Sequence, residues 1–386
     1  MKERIVRLKP TLLLIAVLLF NGTGVQAGLT FVLTPSILAG ARSNEVFFTG
    51  TLSNTDPTND LYLNDIQIDP GYPLFFGFTA DTNVFFANVP GILSAGQTYS
   101  DIVFGVTIKT NAFTGDYFGT ISILGGSNIF ASSILATQTF QVSTIDVSIT
   151  ANIPNAYKFG SQPGSFVITR NGGNNVNFFV NYAITGTASN GVNYSSITNS
   201  VAPTNASAST ITILPLADNQ VDGDRTVALT LLSSPLYNLL APVSATVTIH
   251  DTPFNAWRIL EFGTNATNDA SSGDLADPDG DGIVNLLEYA LNLNPNVAGE
   301  AGLPTTQIDP GCGCLTLTYT RVLSATDLVY TAEAAGDPGG LWSTNGIVGS
   351  VLGSDGVTQT NKASDAANPI ATIGHRFMHL RVTRSP

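Results

Sequence analysis

Apolar positions along this chain alternate far more often than they recur in threes and fours. EVFFTGTLSN from Glu45, DLYLNDIQI from Asp60, YSDIVFGVTI from Tyr99 and GDYFGTISILGG from Gly115 place apolar side chains mainly at every second residue. That is the spacing of a strand buried on one face. Turn clusters such as NTDPTND separate these runs. The same period returns in GSFVITR, VNFFVNYAI, STITILPL, RTVALTLL and SATVTIHD between Gly164 and Asp251, and again in LTLTYTRVL, LVYTAEA and HRFMHLRVT after Leu315. The pattern predicts a mainly β protein of antiparallel sandwiches in tandem, followed by a C-terminal β unit.

The period changes in two places. Thr252 and Pro253 form a helix start, with threonine as cap and proline in the first turn, ahead of FNAWRILEFG, where Gly263 supplies the stop. Further on, Val284, Leu287 and Leu291, with Leu286 and Ala290 beside them, predict one short amphipathic helix over NLLEYAL, ended by Asn292 and Pro295. The boundaries that follow are an immunoglobulin-like sandwich over 28–142, a second sandwich over 143–252, a helical segment over 253–296 and a terminal β unit over 297–386. The linker TNATNDASSGDLA between the two helices is expected to be flexible.

Residues 1–27 read as an export signal. A basic start precedes the apolar run TLLLIAVLLF, which is short for a bilayer, and Val25, Gln26 and Ala27 supply small residues where a signal peptidase cuts. A mature chain beginning near Gly28 would be secreted or cell-surface, with no membrane span after cleavage. Charged residues are only 11% of the 386, yet the formal net charge is −13, and removal of Lys2, Arg4, Arg7 and Lys9 against Glu3 deepens it. Such a field repels nucleic acid and anionic lipid and draws divalent cations. The two cysteines, Cys312 and Cys314, are separated by one residue. A strained bridge, a turn with two free thiols and a link to another chain all remain open from the spacing.

Most acidic residues are scattered, but ADPDGDGIVNLLEYALNLNP from Ala276 concentrates them. Numbered from Asp277, Asp279 and Asp281 fall at positions 3 and 5, Gly282 at 6, Ile283 at 7, Asn285 at 9 and Glu288 at 12. Calcium takes six to eight hard oxygens, and short carboxylates on alternate residues can wrap one ion. Gly282 permits the sharp turn, the Ile283 carbonyl and Asn285 fill the middle of the sphere, and Glu288 closes it with both oxygens. The spacing is that of an EF-hand loop. It is a single hand whose lead-in is Gly, Ser, Asn and Asp, and it resembles dockerin and thrombospondin type-3 loops, which implies a structural ion and not a sensor.

Two further resemblances concern larger segments. LSAGQTYSDIVFGVTI and GDYFGTISILGG look like β-domains of exported bacterial proteins. GSFVITRNGG, VNYAITGTASNGVNYSSI, ITILPLADNQVDGDRTVALTLL and YNLLAPVSATVTIHD, in that order, resemble a Calx-beta domain. By that resemblance Asp218, Asp222 and Asp251 stand where family members gather carboxylates for a second calcium site. Lys158, Asn193, Ala217 and Arg225 depart from the family pattern at would-be ligands, which implies internal salt bridges in place of an ion. The tail from Trp257 onward resembles the C-terminal module of large secreted bacterial proteins.

No GxSxG, HExxH, phosphate loop or complete dinucleotide fingerprint occurs. His250, His375 and His379 are the only bases of neutral pKa, the last two on one strand face. These features point to a non-catalytic calcium-binding protein of adhesion or extracellular matrix, with a surface protein or glycan as partner. The rival expectation is an accessory carbohydrate-binding protein of an extracellular polysaccharide system, with Trp257, Trp342 and the aromatics of FFGF and VFFANV as platforms. Asn193, Asn205 and Asn265 head N-x-[ST] triplets.

Overall fold

A computed structural model describes residues 28–70, 77–202, 207–218, 220–370 and 375–385. The expected export segment, Phe75 and Phe76 of FFGF, and Asn205 lie outside the described residues. The described chain is mainly β and divides into two compact units, one ending at Thr144 and the other beginning at Ile145.

The first unit contains β1 (Leu29–Leu33), β2 (Ile37–Ala39), β3 (Glu45–Asn54), β4 (Leu61–Pro70) and β5 (Phe78–Asp81). A short helix, α1 (Asn83–Asn88), then precedes β6 (Ile92–Leu93), β7 (Thr98–Ile108), β8 (Gly115–Gly126) and β9 (Ser133–Thr144). One sheet runs β1-β3-β7-β5 and the other β2-β9-β8-β4-β6. The alternation in EVFFTGTLSN becomes alternating burial, with Phe48, Gly50, Leu52 and Asn54 inward. Phe48 and Phe104 stack with ring centroids 4.7 Å apart, and Phe140 of the other sheet meets both edge-on. Burial of a side chain of this size contributes about 1.5–3 kcal/mol. Gly119 on β8 leaves room for the Phe140 ring, which a Cβ there would meet at 2.6 Å.

The second unit opens with β10 (Asp146–Ile153), β11 (Asn155–Tyr157), β12 (Gly164–Asn171), β13 (Val180–Thr185), β14 (Ser200–Val201) and β15 (Ala208–Ile213). β16 (Arg225–Leu231), β17 (Asn238–Leu239) and β18 (Ser244–His250) complete two sheets, ordered β15-β12-β10-β17 and β11-β18-β16-β13-β14. Val147, Ile149, Phe166, Ile168, Val227, Leu229 and Val247 are fully buried from these strands. Next come α2 (Pro253–Phe262), α3 (Asp269–Ser272) and α4 (Asn285–Leu291). Thr252 caps α2 by accepting from the Asn255 amide, proline occupies its first turn and Gly263 ends it.

The linker expected to be flexible contains the short helix α3 and is anchored at Ala266, Ser272 and Gly273, which are buried, while most of its other residues are exposed. Ser272 is fully buried, its hydroxyl accepts from Arg258 Nε and donates its one proton to the Ala266 carbonyl at 2.8 Å, and Arg258 also pairs with Asp269. Its small polar residues read as a coil from sequence, yet they satisfy one buried guanidinium.

Six strands remain: β19 (Thr305–Asp309), β20 (Cys314–Val322), β21 (Leu328–Ala335), β22 (Ile347–Ser354), β23 (Thr358–Pro369) and β24 (Phe377–Arg384). They form a sheet ordered β19-β20-β23-β22 and a two-stranded ladder of β21 with β24. Cys312 and Cys314 are joined in a disulfide at the β19–β20 turn, where Gly313 takes a φ of 60°. The bridge left open by the spacing is therefore formed within the chain, and neither a dithiol nor an interchain link is present.

Candidate metal centre

Asp277, Asp279 and Asp281 lie on the turn between α3 and α4, and one carboxylate oxygen of each falls within 4.8 Å of the others. Two ligands on opposite sides of a calcium ion at about 2.4 Å stand about 4.8 Å apart, so the three oxygens fit one coordination sphere. Backbone amides orient them. Asp277 accepts from the Gly280 and Gly282 amides at 2.9 Å, Asp279 from Asp281 at 3.3 Å, and Asp281 from Ile283 at 2.8 Å and Gly299 at 2.9 Å. Gly282 sits at φ 86°, where a Cβ is strained.

Of the expected carboxylate ligands the structure brings only the three aspartates within 4.8 Å of one another, and Glu288 and Asn285 stand apart from that cluster on α4. Glu288 is 1% exposed and Asn285 fully buried, so the deepest positions of α4 include two polar residues beside Tyr289, Ala290 and Leu291. Leu286 and Leu287, expected on the buried face, are only half-buried. Asn285 spends its amide group on the Ser271 and Gly273 carbonyls at 3.0 and 2.9 Å, which leaves its Oδ1 unpartnered. Glu288 Oε2 and Asp279 Oδ2 are likewise buried without a hydrogen bond. Burial pushes the Glu288 carboxyl up to about 7, and the charges of Asp279, Asp281 and Asp277 add to it. A buried carboxylate facing three others, with oxygens left over, is costly unless a cation joins them. The donor set is all hard oxygen and fits a divalent cation of the calcium class.

A second buried carboxylate holds α4 in place. Asp327, 1% exposed, accepts from the Tyr289 hydroxyl at 2.7 Å and from the Phe254 amide in the first turn of α2 at 3.1 Å. Burial, and then Asp327, push the Tyr289 hydroxyl up, so it stays a donor. Tyr330 donates to the Ala290 carbonyl at 2.8 Å, and Phe254, Tyr289, Val322 and Ala325 form a small core with Trp257 against it. Sequence reasoning passed over Asp327, because nothing in SATDL marks that acid as buried.

At the end of the β10–β18 sandwich, Asp218, Asp222 and Asp251 do converge, but on an ammonium group. Lys158 Nζ lies 2.7 Å from Asp218, 3.0 Å from Asp222 and 3.8 Å from Asp251. Arg225 takes the other Asp222 oxygen at 2.7 Å, and Asn193 donates to Asp222 at 3.1 Å. Asp251 is further occupied by the Asp222, Gly223 and Thr252 amides and by Asn255 Nδ2. Burial pulls the Lys158 ammonium down, and Asp218, Asp222 and Asp251 more than offset this, so its pKa is raised. Burial raises Asp222, while Arg225 and Lys158 outweigh it and lower its pKa. These carboxylates do not fit an added cation: one is already among them.

The remaining candidates are engaged locally. His250 pairs with Asp224 and Asn155, and His379 pairs with Glu333 at 2.9 Å and stacks on Trp342 at 3.8 Å. Trp257 packs on Phe254 and Tyr289. In VFFANV, Phe85 is buried and Phe86 exposed. Asn193 is 6% exposed and bonded, so its triplet presents no open acceptor, whereas Asn265 is exposed.

No family model and no curated protein matches the chain. Among solved structures, the apo-form Calx CBD1 domain aligns at 20% identity and TM-score 0.24, over 28% of this chain and 98% of that one. The D00-D0 domain of intimin aligns at 12% identity and TM-score 0.24, over 58% and 100%. A chaperone–tip adhesin complex of CFA/I fimbriae aligns at 11% identity and TM-score 0.20, over 57% and 98%. Likenesses of this degree carry no functional argument. No described helix is long and apolar enough to cross a membrane.

Proposed function

We propose that the turn from Asp277 to Glu288 binds one Ca²⁺, and that the protein is an exported, non-catalytic structural element of cell-surface adhesion or extracellular matrix. Asp277, Asp279, Asp281, Asn285 and Glu288 supply side-chain oxygens and Ile283 its carbonyl. The reading rests on the three buried, unpartnered oxygens of Asp279, Asn285 and Glu288, which come from positions 3, 9 and 12 of one loop. An ion there neutralises the carboxylates, fixes α4 and, through Tyr289 and Asp327, fixes the terminal β unit against α2. A structural role follows because α4 is already docked on its own core.

Calorimetric titration of the full chain with CaCl₂ tests the site. One ion should bind per chain, and both Glu288→Gln and Asp277→Ala should abolish uptake. Undiminished uptake in both variants, or none in the parent chain, removes the assignment.

A further inference from the structure

Both cysteines of the chain sit at the turn between β19 and β20, joined to each other across Gly313. A bridge with a sequence separation of only 2 restrains the unfolded chain far less than one that closes a long loop. The turn is also closed without it. The Gly313 amide donates to the Asp309 carbonyl at 2.7 Å, the Asp309 carboxylate accepts from the Gly311 amide at 2.8 Å and pairs with Lys362, and the Gly313 carbonyl accepts from the Ile370 amide at 2.9 Å. In the ladders Cys314 stands opposite Asp309 on one side and Pro369 on the other. The two sulfurs differ in access, since Cys312 is exposed and Cys314 fully buried. The Cys314 amide donates to Cys312 Sγ at 3.3 Å, which favours negative charge on that sulfur.

We propose that this bridge is a thiol–disulfide exchange site that takes low-molecular-weight thiols, with Cys312 as the attacked sulfur and Cys314 as the resolving one. An incoming thiolate bonds to Cys312 Sγ, the Cys312–Cys314 bond breaks, and Cys314 leaves as a thiolate that takes a proton from water. When Cys314 loses that proton again and attacks Cys312 Sγ, it expels the small thiol and restores the bridge. When a second thiolate instead attacks the sulfur of the bound thiol, both cysteines are left reduced and a small-molecule disulfide departs, two electrons having passed from the two thiols to the protein. Burial fixes the order, because a reactant from solution reaches Cys312 and not Cys314. The hydrogen bonds of the turn keep the two cysteines adjacent after reduction, so closure is intramolecular and needs no refolding. With no other cysteine in the chain, the site has no internal thiol to exchange with and draws its reactant from solution.

Mass spectrometry of the native full chain, treated with dithiothreitol and quenched with iodoacetamide, tests this independently of the metal site. Both cysteines should become alkylated while circular dichroism stays unchanged, at a rate within about tenfold of that for the urea-unfolded chain. Returning the reduced chain to oxidised glutathione should restore the bridge. Two variants test the order of attack: with oxidised glutathione, Cys314→Ser should take one glutathione on Cys312, and Cys312→Ser should react at least about tenfold more slowly until urea exposes Cys314. A bridge reduced only as the chain unfolds, a reduced chain that loses its folded spectrum, or two single variants that react alike would each overturn the proposal.

Discussion

Replacing Glu288 by glutamine should change stability in opposite directions with and without calcium. In the metal-free chain the carboxyl is 1% exposed and its pKa is raised from 4.5 to about 7, chiefly by burial. A carboxyl whose folded pKa exceeds its unfolded value binds an extra proton in the folded state over that interval. Stability therefore falls as pH climbs from 4.5 to about 7, and the interval of about 2.5 units corresponds to roughly 3 kcal/mol at the top. Glutamine escapes this cost, so in chelator Glu288→Gln should be the more stable protein above about pH 7, by up to roughly 3 kcal/mol, with little difference near pH 4.5. With calcium at about a thousand times its dissociation constant, the parent gains about 4 kcal/mol that the variant forgoes, and the order reverses. Urea unfolding followed by Trp257 fluorescence reads the effect locally, since that ring lies 5.4 Å from Tyr289. A substitution effect of the same sign in chelator and in calcium, or a difference in chelator that ignores pH, would refute the reasoning.

The Lys158 cluster should show a pH window of its own. The lowered Asp222 contributes stability that is present above 3.8 and lost as pH falls through its folded value, while the raised Lys158 contributes stability present below 10.5 and lost as pH climbs through its folded value. Lys158→Met should remove the alkaline limb, weaken the acid limb and cost about 3–5 kcal/mol, as urea unfolding across pH would show. Phe48→Ala should cost about 3–5 kcal/mol in the first unit, through the cavity left beside Phe104 and Phe140, without altering calcium uptake measured by titration.

The sandwiches and the two helices were legible in the sequence because their apolar spacing is enforced by burial, and the convergence of Asp277, Asp279 and Asp281 because alternate residues of one tight turn bring their carboxylates together. The cationic substitutions at Lys158 and Arg225 were equally readable, since a charge among carboxylates has few other roles. β22 and β23 were not: TQTNKASDAANP has almost no apolar alternation, and β23 is held by ladders on both sides rather than by a buried face. The disulfide was undecidable because a one-residue gap does not fix the backbone at Gly313. The anchoring of the linker escaped notice because Arg258 lies 14 residues before its partner Ser272 and gives no local signal.

Asp327 ties α2 to α4 within the second unit. A single carboxylate grips the first turn of α2 and the phenol that follows Glu288, and the chain leaves it directly into β21. Slackening the metal loop would leave a sequestered negative charge with one donor fewer, so a local loss would reappear at the foot of the preceding sandwich. If the loop binds calcium as proposed, ambient divalent ion would thereby set how firmly the terminal strands are held to the foot of that one sandwich.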